Sequence, residues 1–359
     1  MDLSFRHTDL IAAVREALVV STRASHAHCQ RLRRRDELVR LYRNVFVRTG
    51  LLTDLHRVLN PFELLLTAHL ARTMAVGIHA RGRGALSHAS ALLAHGVELD
   101  RPALTAVHLV SLTGAHGPDT APAVRLPGGR VLSSCPVIRH CCDNENPPLV
   151  YPVLDVPCLP LDLAAVQCAA SLDPRQAVIC ASGALRALSG FSRFDLETSR
   201  ERESIERARL LAVLEDRVAP RGRRRARAVL AASDAGCESV PERSLLWMLK
   251  AAGFSGARTQ VEHRVAGRRF FVDFQIDSRR GSLAIEFDGK GKYGRESGEI
   301  LSSLTARDQR EKLLVSSGLP VVRFEGFELR DPRRVVEEIC LRLGLAKPPH
   351  APKALGYPG

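Results

Sequence analysis

The apolar and polar positions between residues 239 and 345 predict a definite series of elements. Three leucines follow Glu242 at spacings of three, four and seven residues, so Glu242 borders the apolar face of a helix that ends at Gly253. Alternation of apolar and polar side chains then predicts three strands, at 259–265, 268–277 and 282–289. A helix, a strand and a helix follow, which completes the order helix, three strands, helix, strand, helix.

Two of these strands place acidic side chains on a common face of the sheet. Asp273 alternates with the apolar positions of the second predicted strand, and Glu286 and Asp288 alternate with those of the third. If the loop 278–281 joins the two strands as an antiparallel pair, Asp273 faces Glu286. Two or three carboxylates then converge on one surface.

The opposed acids need a counter-charge, because like charges that face each other destabilise a hairpin. A divalent cation supplies one, and carboxylate ligands suit Mg²⁺ or Mn²⁺, ions that can assist phosphodiester hydrolysis. In this interpretation the metal ligands are Glu242, Asp273, Glu286 and Asp288, and the catalytic residues are Asp273, Glu286, Lys290 and Lys292. The alternative is a structural network in which lysines or arginines pair with the acids.

The first fifty residues predict two helices followed by a hairpin. The helices are expected at about 8–19 and 25–35, and two extended runs at 37–42 and 45–48. Asn44, in the turn between the extended runs, tolerates a positive φ. Together these elements make a winged helix-turn-helix, whose second helix offers phosphates or base edges four arginines: Arg31, Arg33, Arg34 and Arg35. Alternatively, these arginines only solvate a surface helix.

The middle of the chain predicts a mixture of helices and short strands. Helices are expected over 60–80, 84–96 and about 161–188, and a small β-rich unit over 103–160. His88 and His95 can share a helical face, although histidines in such helices usually pack or cap. A second cluster contains His140, Cys141, Cys142 and Asp143, with Cys135 nearby. Adjacent cysteines rarely close one tetrahedral zinc site, so buried reduced thiols are the simpler interpretation.

The charge of the chain favours a polyanionic partner. Its 359 residues include 52 lysines and arginines against 39 acids, a net charge of +13, and 46 of the cations are arginines. The run 217–228 holds six arginines and no acid. It either clamps DNA backbone, through Arg223, Arg224 and Arg225, or is a solvated linker helix. No apolar run is long enough to span a bilayer, so we expect a cytoplasmic protein without a membrane partner.

A resemblance to a known family spans about a hundred residues. It rests on four features: Glu242, VDF with Asp273, AIEFDGKGKYG (284–294) and ARDQREKLLVSSGLPVVRFEGFEL (306–329). Together they resemble the PD-(D/E)xK nuclease superfamily, specifically its branch similar to very-short-patch-repair endonucleases. The resemblance implies a restriction-endonuclease-like αβββαβ core, metal ligands at Asp273 and Glu286, and a first-helix acid at Glu242.

One position departs from the pattern of that superfamily. Asp288 stands where the lysine two residues after the second acid is usual, and lysines occur only at 290 and 292. This departure leaves the assignment of the general base open. The helix that follows carries Arg307 and Arg310, which either contact the phosphate backbone or form a solvated basic face.

A second resemblance concerns the first half of the chain. The segments ELVRLYRNVFVRTG (37–50) and ALSHASALLAHG (85–96) resemble the N-terminal half of AbiEi-type antitoxins. Fusions of such a region to this nuclease-like domain resemble uncharacterised bacterial proteins, and the preference for arginine over lysine is compatible with a high-GC bacterial genome.

The sequence therefore predicts a multidomain protein of α+β and α/β type. The expected segments are a winged helix-turn-helix (1–50), an antitoxin-like mixed α/β unit (51–192), a basic helical linker (193–238), a PD-(D/E)xK nuclease-like domain (239–345) and a disordered tail (346–359). The first functional hypothesis is a metal-dependent DNA endonuclease. The second is a transcription regulator of antitoxin type, with a degenerate nuclease-like domain and a cognate toxin as partner. A protein that acts on RNA is a third.

Overall fold

The computed structural model describes residues 3–114, 117–142, 147–218, 220–279, 281–288, 309–350 and 352–357. Within these ranges the chain forms twelve α-helices and several β-sheets, which confirms the mixed α/β class. It divides into two compact units, Met1–Cys168 and Ala169–Gly359. The finer predicted boundaries between five segments stay a prediction. Over the part of the chain that the structure describes, no helix has both the length and the apolarity needed to cross a membrane.

The first unit begins with two helices and a three-stranded antiparallel sheet. The elements are α1 (Leu3–Ala17), β1 (Leu18–Val20), α2 (His26–Arg34), β2 (Leu38–Tyr42) and β3 (Val45–Arg48). Strand β3 lies between β1 and β2. The predicted helix–helix–hairpin order is present, but the end of the first predicted helix is a strand. Positive φ in the hairpin turn falls on Arg43, at 37°, rather than on Asn44 as predicted.

Asn44 has a different function in that turn. Its side-chain Nδ2 donates a hydrogen bond of 3.1 Å to the carbonyl oxygen of Ser21, which ties the turn to the residue after β1. Its side-chain Oδ1 also lies 2.8 Å from Nδ1 of His79. These contacts come from residues distant in sequence, and a turn rule based on local propensity does not include them.

The remainder of the first unit surrounds a mixed six-stranded sheet of order β10-β11-β4-β5-β9-β6. Its elements are α3 (Thr49–Val58), α4 (Pro61–Ala80), β4 (Gly84–Leu86), α5 (His88–Ala94), β5 (Val107–Ser111), β6 (Thr120–Ala121), β7 (Val124–Arg125), β8 (Val131–Leu132), β9 (Cys135–Cys141), β10 (Tyr151–Val153) and β11 (Val156–Cys158). Strands β7 and β8 form a separate pair. The predicted β-rich stretch 103–160 is confirmed. Helix α6 (Leu161–Ser171) follows these strands.

The predicted helix over 84–96 is wrong in its first part. Residues 84–86 form strand β4, which pairs with β5, and only 88–94 are helical. The backbone of Gly84 approaches the carbonyl oxygen of Val110 so closely that a Cβ would lie 2.7 Å from it. A sheet contact of this kind depends on a strand more than twenty residues away. Strand β4 has only three residues, which is too short for its sequence to show the periodicity of a strand or of a helix.

The second unit contains the predicted order of helix, three strands, helix, strand, helix. Its elements are α7 (Pro174–Ser189), α8 (Leu196–Arg217), α9 (Pro220–Ala232), α10 (Val240–Ala251), β12 (Arg258–Val265), β13 (Arg268–Ser278), β14 (Gly281–Asp288), α11 (309–316), β15 (Val321–Glu325) and α12 (Pro332–Arg342). The sheet order is β12-β13-β14-β15. The first two pairings are antiparallel and the last is parallel.

Two regions of the second unit pack more closely than their sequence suggests. In the predicted linker, α8 and α9 pack against α7. The prediction that residues 346–359 are disordered is wrong at Leu355. This residue is buried, and its carbonyl oxygen accepts a hydrogen bond of 2.9 Å from Nε1 of Trp247. Local composition predicts flexibility in such a segment, whereas one buried leucine and one indole bond hold it on the unit.

Candidate functional site

The hairpin of β13 and β14 brings the predicted acids together. Phe274 lies opposite Ile285 and Gln275 opposite Ala284, which is the predicted register. The paired register ends at Phe274, and continuing it by one step would bring Asp273 opposite Glu286. The turn length and the alternation of the two strands are enough to produce this arrangement.

Glu242 joins the cluster from the first turn of α10 and is nearly buried. Its two carboxylate oxygens accept hydrogen bonds from the Ser239 hydroxyl, at 2.7 Å, and from the Glu238 backbone N–H, at 2.8 Å. Ser239 in turn accepts from the Glu242 N–H, which makes a capped helix N-terminus. Burial nevertheless raises the pKa of Glu242 above its ordinary value.

Asp273 is the most perturbed acid of the group. Its Oδ2 accepts a hydrogen bond of 2.9 Å from the Phe287 backbone N–H, while Oδ1 has no hydrogen-bond partner among the described residues. Burial, with the neighbouring negative charges of Glu242 and Glu286, raises its pKa to about 7. Asp273 therefore holds a proton part of the time at neutral pH.

Glu286 is buried and is neutralised by arginine. Arg310 of α11 donates to Oε1 at 2.5 Å, and Arg323 of β15 contacts Oε2. Arg323 also contacts Glu311 at 2.9 Å and Asp288 at 3.7 Å. The counter-charge that the opposed acids require is therefore supplied in part by arginines, as the structural-network alternative predicts.

Arg310, predicted either to contact the phosphate backbone or to lie on a solvated basic face, is bonded within the second unit. Besides Glu286, its Nη2 donates to the carbonyl oxygen of Phe271 at 2.5 Å, so the guanidinium is directed toward the sheet. The other predicted residues after β14, Lys290, Lys292 and Arg307, lie outside the described residues.

The four arginines at the end of α2 are all exposed. In the described parts of the chain, none of Arg31, Arg33, Arg34 and Arg35 makes a side-chain hydrogen bond or ion pair. Cys29 of the same helix packs with Leu38 and Phe46 of the hairpin. The apolar side of α2 thus holds the helix on the sheet and leaves its cations directed to solvent.

The arginines of α9 differ, because most of them already have partners. Arg223 donates to the carbonyl oxygen of Val218 at 2.7 Å and contacts Glu215 of α8, and Arg225 contacts the carbonyl oxygen of Ala170. Arg224 is exposed. The run 217–228 contains no acid of its own, but the preceding helix supplies Glu215, which pairs with Arg223 and Arg227.

A further group of ionisable residues combines three positions that are distant in sequence. Oxygen, nitrogen or sulfur ligand atoms of three or more residues lie within 4.8 Å of one another in just one set among the described residues: His88, His108 and His140. His108 was not a predicted site residue, and the three positions form no local motif. Of the predicted neighbours of His140, Cys135, Cys141 and Cys142 do not belong to the set, and Asp143 lies outside the described residues.

His95 does not share a site with His88. Its Nε2 lies 2.8 Å from the carbonyl oxygen of Leu159, which is the packing arrangement that its helix composition predicts.

Comparisons with protein-family models, with curated proteins and with solved structures found no match to this chain.

Proposed function

We propose that the chain is a DNA-binding protein whose second unit is a metal-dependent endonuclease of the PD-(D/E)xK, restriction-endonuclease-like type. One observation carries the proposal: Asp273 lies between Glu242 and Glu286 with one unpartnered oxygen and a pKa raised to about 7. A fold that crowds acids in this way stabilises them best with a bound cation. The order of the elements around the sheet supports the same nuclease core.

The oxygen donors at Asp273 suit a hard divalent ion, which would have to draw the other carboxylates closer, because no three acidic groups among the described residues have ligand atoms within 4.8 Å of one another. Its Oδ1 is available, and carboxylate oxygens are the ligands that Mg²⁺ and Mn²⁺ prefer. Glu286 and Asp288 would complete the protein ligands, and Glu242 would support them from the helix cap. When bound, the ion would supply Lewis-acid stabilisation of the charge that develops on the phosphate.

The arginines of the cluster would then have a second function. Arg310 and Arg323 hold the Glu286 carboxylate in one orientation through ion pairs to both of its oxygens. Lys290 and Lys292 stay the predicted residues that assist the attacking water. Hydrolysis of DNA phosphodiesters is the reaction proposed.

The first unit would supply the DNA contact. Its α2 is the proposed recognition helix of a winged helix-turn-helix, because four exposed arginines without internal partners line its C-terminal end. Phosphate contacts of this type give affinity that falls steeply with salt. The arginines of α9 contribute less in this proposal, since Arg223 and Arg225 are already bonded within the second unit.

A second candidate function is an antitoxin-type transcription regulator with a degenerate nuclease-like unit. It is favoured by the arginine contacts to both oxygens of Glu286, because an ion would have to compete with a guanidinium for that carboxylate. In this alternative the first unit binds an operator, and a cognate toxin protein is the partner.

The deciding experiment incubates the purified full chain with supercoiled plasmid and linear duplex in the presence of Mg²⁺, Mn²⁺ or EDTA. We expect cleavage that EDTA abolishes and that Asp273→Asn removes. Asp277→Asn is the matched control, because Asp277 lies on the same strand but is exposed and bonded to Arg258. Equal cleavage by parent and Asp273→Asn would contradict the proposed site. Sequence-specific DNA binding without any cleavage would favour the regulator.

DNA binding by α2 is tested separately by filter binding at several salt concentrations. Changing Arg31, Arg33, Arg34 and Arg35 together to Gln should weaken binding and lower the salt slope by up to about 3.6, or roughly 0.9 for each lost phosphate contact. The matched variant changes Arg223, Arg224 and Arg225 to Gln, and its slope should fall by about one contact at most. The reverse ranking would place the main DNA contact on α9.

A further inference from the structure

Three histidines of the first unit converge from separate elements. His88 begins α5 immediately after β4, His108 lies on β5, and His140 lies on β9. Strands β5 and β9 are parallel, with His108 opposite Ile138 and Val110 opposite His140. Because side chains alternate along a strand, His108 and His140 share one face of the sheet, two residues apart in register.

The rings are in direct contact. Nδ1 of His108 lies 3.0 Å from Nε2 of His140, and their ring planes differ by 16°. The His88 ring stacks on His140, with centroids 3.8 Å apart. The ligand atoms of all three residues lie within 4.8 Å of one another. In a tetrahedral zinc site, Zn–N bonds of about 2.0–2.1 Å place two nitrogens about 3.3 Å apart, which is close to the observed spacing.

The backbone at His88 is held in an unfavourable conformation that brings its ring to this position. His88 has a φ of 50°, in the left-handed region that residues other than glycine seldom adopt. Its N–H donates to Oε1 of Gln167 at 3.1 Å, and the Ser87 N–H donates to the His108 carbonyl oxygen at 3.0 Å. Distant parts of the first unit therefore fix the conformation.

A hydroxyl orients the His88 ring. The hydroxyl oxygen of Ser87 lies 3.1 Å from Nδ1 of His88, which leaves Nε2 as the available ring nitrogen. Metal-binding histidines commonly have a polar partner on their second ring nitrogen, because that partner fixes the tautomer and the orientation of the ring. Ser87 occupies the position of such a partner.

The histidines have the protonation state that metal binding requires. Burial lowers the pKa of His88, His108 and His140, that of His108 to about 4. All three imidazoles are therefore neutral at pH 7, and each carries a lone pair. Repulsion among charged rings is avoided in the same way.

We propose that His88, His108 and His140 form a binding site for a divalent transition-metal ion of the Zn²⁺ class. The ion takes Nδ1 of His108 and Nε2 of His140, and the proton that the two rings share moves to the other nitrogen of its ring. A metal ion lies in the plane of each imidazole that binds it, so His88 must turn out of its stack on His140. The rings of His108 and His140, whose hydrogen-bonded nitrogens point at each other, must tilt toward the ion. Three neutral imidazoles leave a fourth position for water or a substrate oxygen, as in catalytic zinc sites.

The test measures Zn²⁺ binding to the full chain by isothermal titration calorimetry, after treatment with a chelator and dialysis. Substitution with Co²⁺ reports the ligand geometry through its visible absorption. The ligand variants are His108→Gln and His140→Gln, and the matched control is His95→Gln, a histidine of the same unit outside the cluster. Asp273→Asn is included so that ions held by the acids of the second unit are recognised.

We expect the parent, His95→Gln and Asp273→Asn to bind one Zn²⁺ with equal affinity at this site. Loss of a partner in the surroundings of a metal ligand costs about 10–100-fold in affinity, so loss of a ligand should cost at least about tenfold. Unchanged Zn²⁺ affinity in both ligand variants, or no Zn²⁺ binding by the parent, would overturn the proposal. Circular dichroism of each variant verifies folding, and His88→Gln provides a third ligand variant if one of the others unfolds.

Discussion

The acid cluster of the second unit and the histidine cluster of the first unit have similar architecture, but burial shifts the pKa values of their side chains in opposite directions. Each gathers three titratable side chains of one kind from a helix start and two neighbouring strands. Burial favours the neutral form in both places, so the pKa of Asp273 rises and that of His108 falls. At neutral pH the histidines therefore carry no charge, whereas the acids must be compensated.

The compensation differs in a way that bears on metal binding. Arg310 and Arg323 are bonded to Glu286, and an ion at the acids must share that carboxylate with them. Among the described residues, the hydrogen-bond partners of the ring nitrogens in the histidine cluster are a neighbouring ring and the Ser87 hydroxyl. The same burial thus leaves the acid cluster paired with cations and the histidine cluster without charge.

The largest expected effect tests the arginine compensation of the acids. Changing Arg323 to Gln should lower the free energy of unfolding of the second unit by about 3 kcal/mol, because removing one partner of a buried ion pair leaves an uncompensated charge. Fluorescence of Trp247, the one tryptophan of the chain, follows this unit during urea unfolding.

Arg342→Gln is the matched control, since Arg342 forms a more exposed pair with Glu338 on α12, an interaction worth less than about 1 kcal/mol. Adding Glu286→Gln to Arg323→Gln should restore part of the lost stability, because the buried charge is then gone. Equal small losses in Arg323→Gln and Arg342→Gln would show that Glu286 does not depend on its arginine.

The next effect tests the neutral state of the histidines. The pKa of folded His108 lies below the unfolded value, so the unfolded chain takes up the proton first, and stability falls as the pH drops from about 6.5 to about 4. Its surroundings add no compensating acid among the described residues: they are His88, His140, and His69 beside Arg72. The loss should be about 3 kcal/mol for this group.

Hydrogen exchange of the β5 and β9 amides, corrected for the intrinsic rate at each pH, measures this change. His108→Gln should lose less protection than the parent between pH 7 and pH 4, because Gln does not titrate. A parent and a variant with the same pH dependence would mean that His108 does not resist protonation.

The smallest effect has the opposite sign with pH. Asp273→Asn should stabilise the metal-free second unit by about 1 kcal/mol at pH 7, because it removes one of three crowded acids and Asn can still accept from the Phe287 N–H. The folded pKa of Asp273 lies above its unfolded value, so the parent loses stability as the pH rises from about 4 through 7.

Urea unfolding followed at Trp247 should therefore show no advantage for Asp273→Asn near pH 4 and an advantage near pH 7. Asp277→Asn serves as the control, because the pKa of Asp277 is lowered by hydrogen bonds and its loss should destabilise slightly. A loss of several kcal/mol in Asp273→Asn would mean that the acid is a structural partner that the unit requires.

The elements that depend on neighbouring residues could be predicted from the amino-acid sequence alone. Strict alternation set β13 and β14, and the length of the turn between them set the register that brings Asp273 close to Glu286. The asparagine before Pro61 likewise predicts the start of α4, where Asn60 and Glu63 cap one another's backbone. These features follow from neighbours a few residues apart, so a pattern along the chain contains them.

Which charged groups contact each other depends on the three-dimensional packing of distant elements. Glu286 pairs with Arg310 and Arg323, which lie 24 and 37 positions further along the chain. Arg223 pairs with Glu215 of the preceding helix. The histidine cluster joins positions 88, 108 and 140, where a strained backbone and two parallel strands bring the rings together. Such contacts depend on the crossing of distant elements, and neither composition nor periodicity records where two elements cross.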